Sequence, residues 1–334
     1  RQRLNTMAQP IMVQWQDNEL VSVWPQALAK AASSTRAERG ARGARRAIMQ
    51  FLQALVDGIL LGGVYAVISI GLTLVFGVVS IVNFAQAEFL MVGMFVAYFA
   101  WKLLGLDPLL GSLLSFAVAF VLGVLTQKYL INRVLKAPAV AQIFLTVGLL
   151  IVMENLALIL FGSEFRSVQT PYQMTALAIG PILLSAPYLL AFAVASVAGL
   201  VLWWVLKKTW WGMAVRATAQ DPMAARLSGI STHRVHQLAF GLGVGMTALG
   251  GGIILPYLTA STTVGAQFSV LMFTAVVLGG LGSVIGAVVG GVAVGVIQSL
   301  SSLVLPMQLQ NLVLFAIFIL VLAVRPEGLL KKAG

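Results

Sequence analysis

The sequence predicts an all-α polytopic membrane protein of about eight to nine transmembrane helices, with one long polar loop between two of them. Three observations predict it. First, 60% of the 334 residues are apolar and 9% are charged, against roughly 25% charged in an average soluble domain. So few charges cannot cover a water-facing surface, and lipid is the natural solvent for most of the chain. Second, from Phe51 onward apolar runs alternate with short polar breaks. Third, the chain carries a net charge of +11, and after Phe51 the positive residues fall mostly in those breaks. That distribution fits the positive-inside rule and not a nucleic-acid groove.

Residues 1–48 differ from everything after them. They hold eight of the 21 Lys/Arg, including Arg36, Arg39, Arg42, Arg45 and Arg46, and no apolar run. A signal peptide needs an apolar stretch of about 7–15 residues, so they are not one. Their composition reads as a disordered basic extension. The expectation is that 1–48 is upstream sequence, that the working protein starts at Met49, and that 49–334 is the membrane domain.

The apolar segments fall at 51–79, 88–104, 109–131, 139–162, 187–206, 236–258, 268–281, 283–304 and 309–324. A helix needs about 20 residues to cross a ~30 Å hydrocarbon core. Most segments meet that length. The segment 268–281 is short, and 51–79 is too long for one span and too short for two.

Orientation follows from the charges. Of the 13 Lys/Arg after Met49, 11 fall in three stretches: Lys128, Arg133 and Lys136; Lys207, Lys208, Arg216, Arg226 and Arg234; Arg325, Lys331 and Lys332. One topology puts all three in the cytoplasm. The loop 163–186 is then external. An even number of crossings must separate Arg234 from Arg325, so 268–281 should cross. Counting backwards puts Met49 outside.

The stretch GLTLVFGVVSIVNFAQAEFLMVG, 71–93, places Asn83, Gln86 and Glu88 between two apolar runs. Polar groups beside a span are costly and point to function. An interfacial loop with an ordinary cap is the plainer reading.

The loop KKTWWGMAVRATAQDPMAARLSGISTHRV, 207–235, is too polar to cross and too patterned for a linker. Asp221 suits an N-cap and Pro222 a first helical turn. Gly229 suits the left-handed position that ends a helix. A short helix is therefore expected from about 222 to 228, preceded by an amphipathic piece from about 211 to 220. Ala224 and Ala225 are small enough for another protein's surface to approach. Either the pair lies at the headgroups with Trp210 and Trp211 as anchors, or it docks a soluble motor.

The run FTAVVLGGLGSVIGAVVGGVAVG, 273–295, sets Gly282, Gly286 and Gly290 at i, i+4 and i+8. Small residues at that spacing let helix backbones approach closely in lipid. Helix packing explains them, and a sliding interface is the functional alternative. No Lys follows these glycines, so the run is not a phosphate-binding loop.

At these three stretches the chain resembles the permeases of ABC importers for branched-chain amino acids. In that family a loop of the form R-A-x-A-x-D-x-x-x-A-x-x-x-G-I makes cytoplasmic coupling helices. Arg216, Ala217, Ala219, Asp221, Ala225, Gly229 and Ile230 match it. With Pro222 and Arg226 they form the expected ATPase-coupling set. The family's N-F-A-H-G-E-type motif is matched by Asn83, Phe84, Ala85 and Glu88. Gln86 stands where His is frequent, which keeps hydrogen bonding and removes a titrating group. The family also shows a similar glycine-rich run.

The resemblance covers roughly 49–330. It implies a second permease subunit, cytoplasmic ATP-binding subunits, an external or periplasmic solute-binding protein, and an inner-membrane location. ATP hydrolysis would lie on a partner chain. Urea or a short amide is an alternative cargo within the class.

Asn83, Phe84, Gln86, Glu88 and Glu154 are the expected lining of the translocation path. Glu154 lies deepest, in FLTVGLLIVMENLALILFG. An ionised carboxylate facing lipid costs a few kcal/mol, so it should face protein or water. It either locks two helices or, with Asn155, borders the path. No nucleophile–base constellation is apparent, and no cofactor is implied. His233 and His236, without further ligands, make a poor metal site. With no cysteines, disulfides and thiolate chemistry are excluded. An ion-coupled secondary transporter would usually show intramembrane acid relays or paired broken helices. The sequence has too few acids and no clear paired repeat.

Overall fold

The computed structural model describes residues 12–16, 19–24, 26–180 and 182–325. The chain divides into two units, Arg1–Leu52 and Gln53–Gly334, each described by itself. In the first, strands β1 (Met12–Gln16) and β2 (Glu19–Trp24) pair as an antiparallel hairpin. Helix α1 (Gln26–Val79) begins there. Disorder is the expectation for 1–48; the described part is instead hairpin and helix. The β-branched and aromatic residues of ELVSVW suit a strand. The Ala- and Arg-rich stretch after Gln26 is made of strong helix formers.

In the second unit, α1 continues to Val79 as one unbroken helix. It ends where Ser80 turns into the left-handed region at φ 58°. Then follow α2 (Gln86–Leu104), α3 (Pro108–Thr126), a π-helical turn (Gln127–Ile131), α4 (Asn132–Val134) and α5 (Ala139–Phe161). A second hairpin, β3 (Ala176–Ile179) with β4 (Ile182–Ser185), precedes α6 (Ala186–Lys208). Two short helices, α7 (Trp210–Gln220) and α8 (Pro222–Leu227), lead to α9 (Thr232–Ile254). The chain closes with α10 (Val264–Gly279), α11 (Val284–Ser301) and α12 (Met307–Val324).

Every apolar run read from the sequence is a helix. Among the described residues, seven helices are long and apolar enough to cross a membrane; Val264–Gly279 and Leu309–Val324 are shorter apolar helices.

Helix α9 is the centre of the bundle. It is buried almost throughout, whereas α5 is mostly exposed. Glycines explain how so many helices reach α9. A Cβ on Gly243 would run into the backbone of Gly71 on α1, and one on Gly93 of α2 into Ala248. Gly251 meets Leu90, and Gly123 of α3 meets Gly241. In lipid, where apolar surface gains little by leaving its solvent, such backbone approach supplies the packing that holds helices together.

Two anchors tie down the end of the bundle that carries the β3–β4 hairpin. The Gln53 amide nitrogen donates to the Leu183 carbonyl at 2.6 Å, and the Leu183 N–H donates back to Gln53 Oε1 at 3.0 Å. Tyr172 donates its hydroxyl to Asp107 Oδ1 at 2.9 Å. That carboxylate also caps α3 by accepting from the Leu109 N–H. Burial and the Asp107 carboxylate hold the Tyr172 phenol above its ordinary pKa. It therefore stays a donor, and the loop stays pinned, across the neutral range.

Candidate coupling and translocation sites

The α7–α8 pair is built by local capping. Thr209 Oγ1 accepts from the Gly212 N–H at 3.1 Å and starts α7. Asp221 closes α7, its N–H donating to Ala217, and opens α8, its Oδ1 accepting from Met223 at 2.8 Å and Ala224 at 3.0 Å. Pro222 occupies the first turn, where a missing N–H costs nothing. At the other end Gly229 takes φ 82°. Its N–H donates to Arg226 and the Ile230 N–H to Ala225, each at 3.0 Å. That crossed pair is the Schellman arrangement, which satisfies carbonyls that a helix end would otherwise leave open.

Side chains then fasten the pair to the spans. Arg216 donates to the Leu206 carbonyl at the end of α6. Arg226 Nε donates to Thr232 Oγ1 at 2.7 Å, at the start of α9. Ala217 is half-buried and Ala219 exposed. Ala225 corrects the expectation that it offers a contact surface: it is buried against its own bundle. Ala225 is the one buried residue of α8, and Pro222, Met223, Ala224, Arg226 and Leu227 are all exposed. Met223 is 74% exposed and Leu227 84%.

Asn83, Gln86 and Glu88 are brought together inside the bundle, all fully buried. Asn83 Nδ2 donates to Gln86 Oε1 at 2.9 Å, and Asn83 Oδ1 accepts from the Ala85 N–H. Gln86 Nε2 donates to Thr247 Oγ1 at 2.7 Å and to the Gly243 carbonyl at 3.2 Å, both on α9. Thr247 reaches on to the Ile68 carbonyl of α1. This polar knot joins three helices. Thr247 was not legible as a partner, because nothing local links it to Gln86. Phe84 packs its ring 5.4 Å from that of Phe273 on α10.

Glu88 is placed differently. Its carboxylate lies against Gly265 near the start of α10, where a Cβ would collide with it. Its Oε2 has no hydrogen-bond partner. Glu154 is half-buried, while Asn155 is exposed and donates to the Ile151 carbonyl.

The glycine run divides. Gly286 and Gly290 pack α11 on α10, their α-carbons against the carbonyls of Gly279 and Ala275. Gly282 corrects the expected third member of that face. It precedes α11, in the turn after α10, with φ 86°. A conformation open to glycine, not helix packing, explains it there. Gly291 and Gly295, another i, i+4 pair, pack the same helix on Ala66 and Gly62 of α1. Their spacing was visible in the sequence, and only the fold shows that it serves a second face.

A helical membrane bundle with a rigidly capped helix pair hung between two spans is the build of a transport permease. Residues 54–322 match the family described as "Branched-chain amino acid transport system / permease component", and the chain belongs to that family. It is 32% identical to the high-affinity branched-chain amino acid transport system permease protein LivH of Salmonella typhimurium, over 85% of this chain and 96% of that one. It is 31% identical to LivH of Escherichia coli over the same shares. Identity to BraD of Pseudomonas aeruginosa, of the same description, is 29% over 85% of this chain and 97% of that one. The chain is thus a multi-pass inner-membrane permease subunit of the ABC class and not an enzyme. Such permeases as a class work with ATPase and binding-protein partners.

Proposed function

We propose that this chain is one of two permease subunits that carry branched-chain amino acids inward, driven by ATPases that grip α7–α8. The observation that carries the reading is the outward face of α8. Its Met223 and Leu227 side chains stand bare on a helix capped at both ends and bonded to α9 through Arg226, while α7 before it is bonded to α6 through Arg216. Two exposed apolar groups on a braced helix suit a protein surface that must be held and pushed. In this reading 207–235 is cytoplasmic, 163–186 external, 49–334 the working domain and 1–48 an extension. An external solute-binding protein delivers the cargo. Asn83, Phe84 and Gln86 brace the path, and Glu88 and Glu154 border it.

The test is L227E in the chain co-expressed with its ATPase subunits. ATPase co-purification and ATP-driven L-leucine uptake should fall at least about tenfold, the loss of some 1.4 kcal/mol of docking energy or more. The elution volume and helical content of the permease should not change. Full co-purification and uptake in L227E would remove the coupling role of this face.

A further inference from the structure

A second polar site lies away from the knot at Gln86. A half-open cleft of about 500 Å³ is bounded by α1, α6, α10, α11, α12 and the segment after α9. Its volume is within the range of small-molecule sites, roughly 300–1,000 Å³. It opens near the hairpin end of the bundle. Asp57, on its wall, is bonded to Gln53, and Gln53 is bonded in turn to Leu183 of β4.

Three chemistries meet in it. Asp57 supplies negative charge: both its oxygens accept from the one Gln53 amide nitrogen, at 3.1 Å each. Among the described residues no Lys, Arg or His lies within 4.0 Å to neutralise it. Tyr257 supplies a hydroxyl that is buried and has no partner. Its ring is held edge-on to Tyr188, 4.6 Å between centroids. Tyr65 donates to Gln298 Oε1 at 2.8 Å, which orients the Gln298 amide with its N–H₂ unused. Leu61, Phe268 and Leu271 add an apolar wall.

A buried hydroxyl without a partner is costly, and so is a carboxylate without a cationic partner in a partly buried wall. Both costs are relieved by a ligand with a cationic end and an accepting end. We propose that this cleft is an outward holding site for the zwitterionic amino acid. Asp57 takes the ammonium group, the Tyr257 hydroxyl and Gln298 amide take the carboxylate, and the apolar wall takes the aliphatic side chain. The assignment rests on the importer reading above and adds to it the residues that receive the cargo from outside.

The absence of cysteine from the chain makes the test direct. Ser302, exposed at the cleft rim, is replaced in S302C within the whole transporter complex. Labelling of this chain by external methanethiosulfonates is followed on a gel. The cationic-to-anionic rate ratio should exceed that of a small thiol in solution at least about fivefold, as a nearby carboxylate requires. D57N, which keeps an acceptor for Gln53, should bring the ratio back to the solution value.

L-leucine should slow labelling severalfold, and equimolar sodium chloride should not. Y257F should weaken that protection without changing the charge ratio. A rate ratio no greater than that of a small thiol in solution, no protection by leucine, or equal protection by sodium would overturn the proposal. ATP-driven leucine uptake by the unsubstituted complex is measured beside it. If that uptake is absent, the importer reading fails; if it is present without protection, the cleft assignment alone fails.

Discussion

Gln86 Nε2 stands 2.7 Å from Thr247 Oγ1, joining the first residue of α2 to the middle of α9 across 161 positions of sequence. The Gly243 carbonyl is a second acceptor for both side chains, and the Ile68 carbonyl is a further one for Thr247. Both side chains are fully buried, so these protein partners stand in for water.

Replacing Gln86 with Leu should therefore leave Asn83 Nδ2 as a buried donor without its acceptor. The expected cost is about 1–3 kcal/mol, read as a lower melting temperature in detergent and a lower yield of folded protein. Q86H should restore much of it, since an imidazole N–H can still donate towards α9. Equal stability of Q86L and the parent protein would remove the knot from any structural role.

The glycines separate packing from mere presence in a helix. Gly286 has the Gly279 carbonyl against its α-carbon, whereas nothing lies within 4 Å of a Cβ placed on Gly148. G286L should abolish uptake and lower the melting temperature sharply, because the nearest atoms belong to the Gly279 backbone, which cannot move aside as a side chain can. G148A should be neutral or stabilising by about 0.5–1 kcal/mol, the ordinary helix preference of Ala over Gly. Thermal melts of the two variants side by side check the contrast.

Gln127 sits in the π-helical turn, 1% exposed, with neither its amide nitrogen nor its oxygen hydrogen-bonded. An unpaired buried amide is destabilising, and an apolar group of similar shape removes the penalty. Q127M should raise the melting temperature. A lower one, together with lost uptake, would show that the amide is held in place for transport; π turns are often found at such sites.

Much of this protein was legible without its structure because the interactions concerned are local. Hydrophobic run length marked each apolar helix, though not how many of them cross the membrane. Asp221, Pro222 and Gly229 marked α8 to within a residue, since a cap reads only the three or four backbone groups next to it. Those features follow from the sequence by itself.

Tertiary structure decided the rest. It turned Ala225 inward and left Met223 and Leu227 outside, and it moved Gly282 from a helix face into a turn. It also chose Thr247 as the partner of Gln86, and gathered Asp57, Tyr257 and Gln298 around one cleft. None of these has a local signature. A side chain's direction depends on how whole helices settle against one another. In lipid that choice rests on close backbone packing and on pairing every buried polar group, not on the burial of apolar residues.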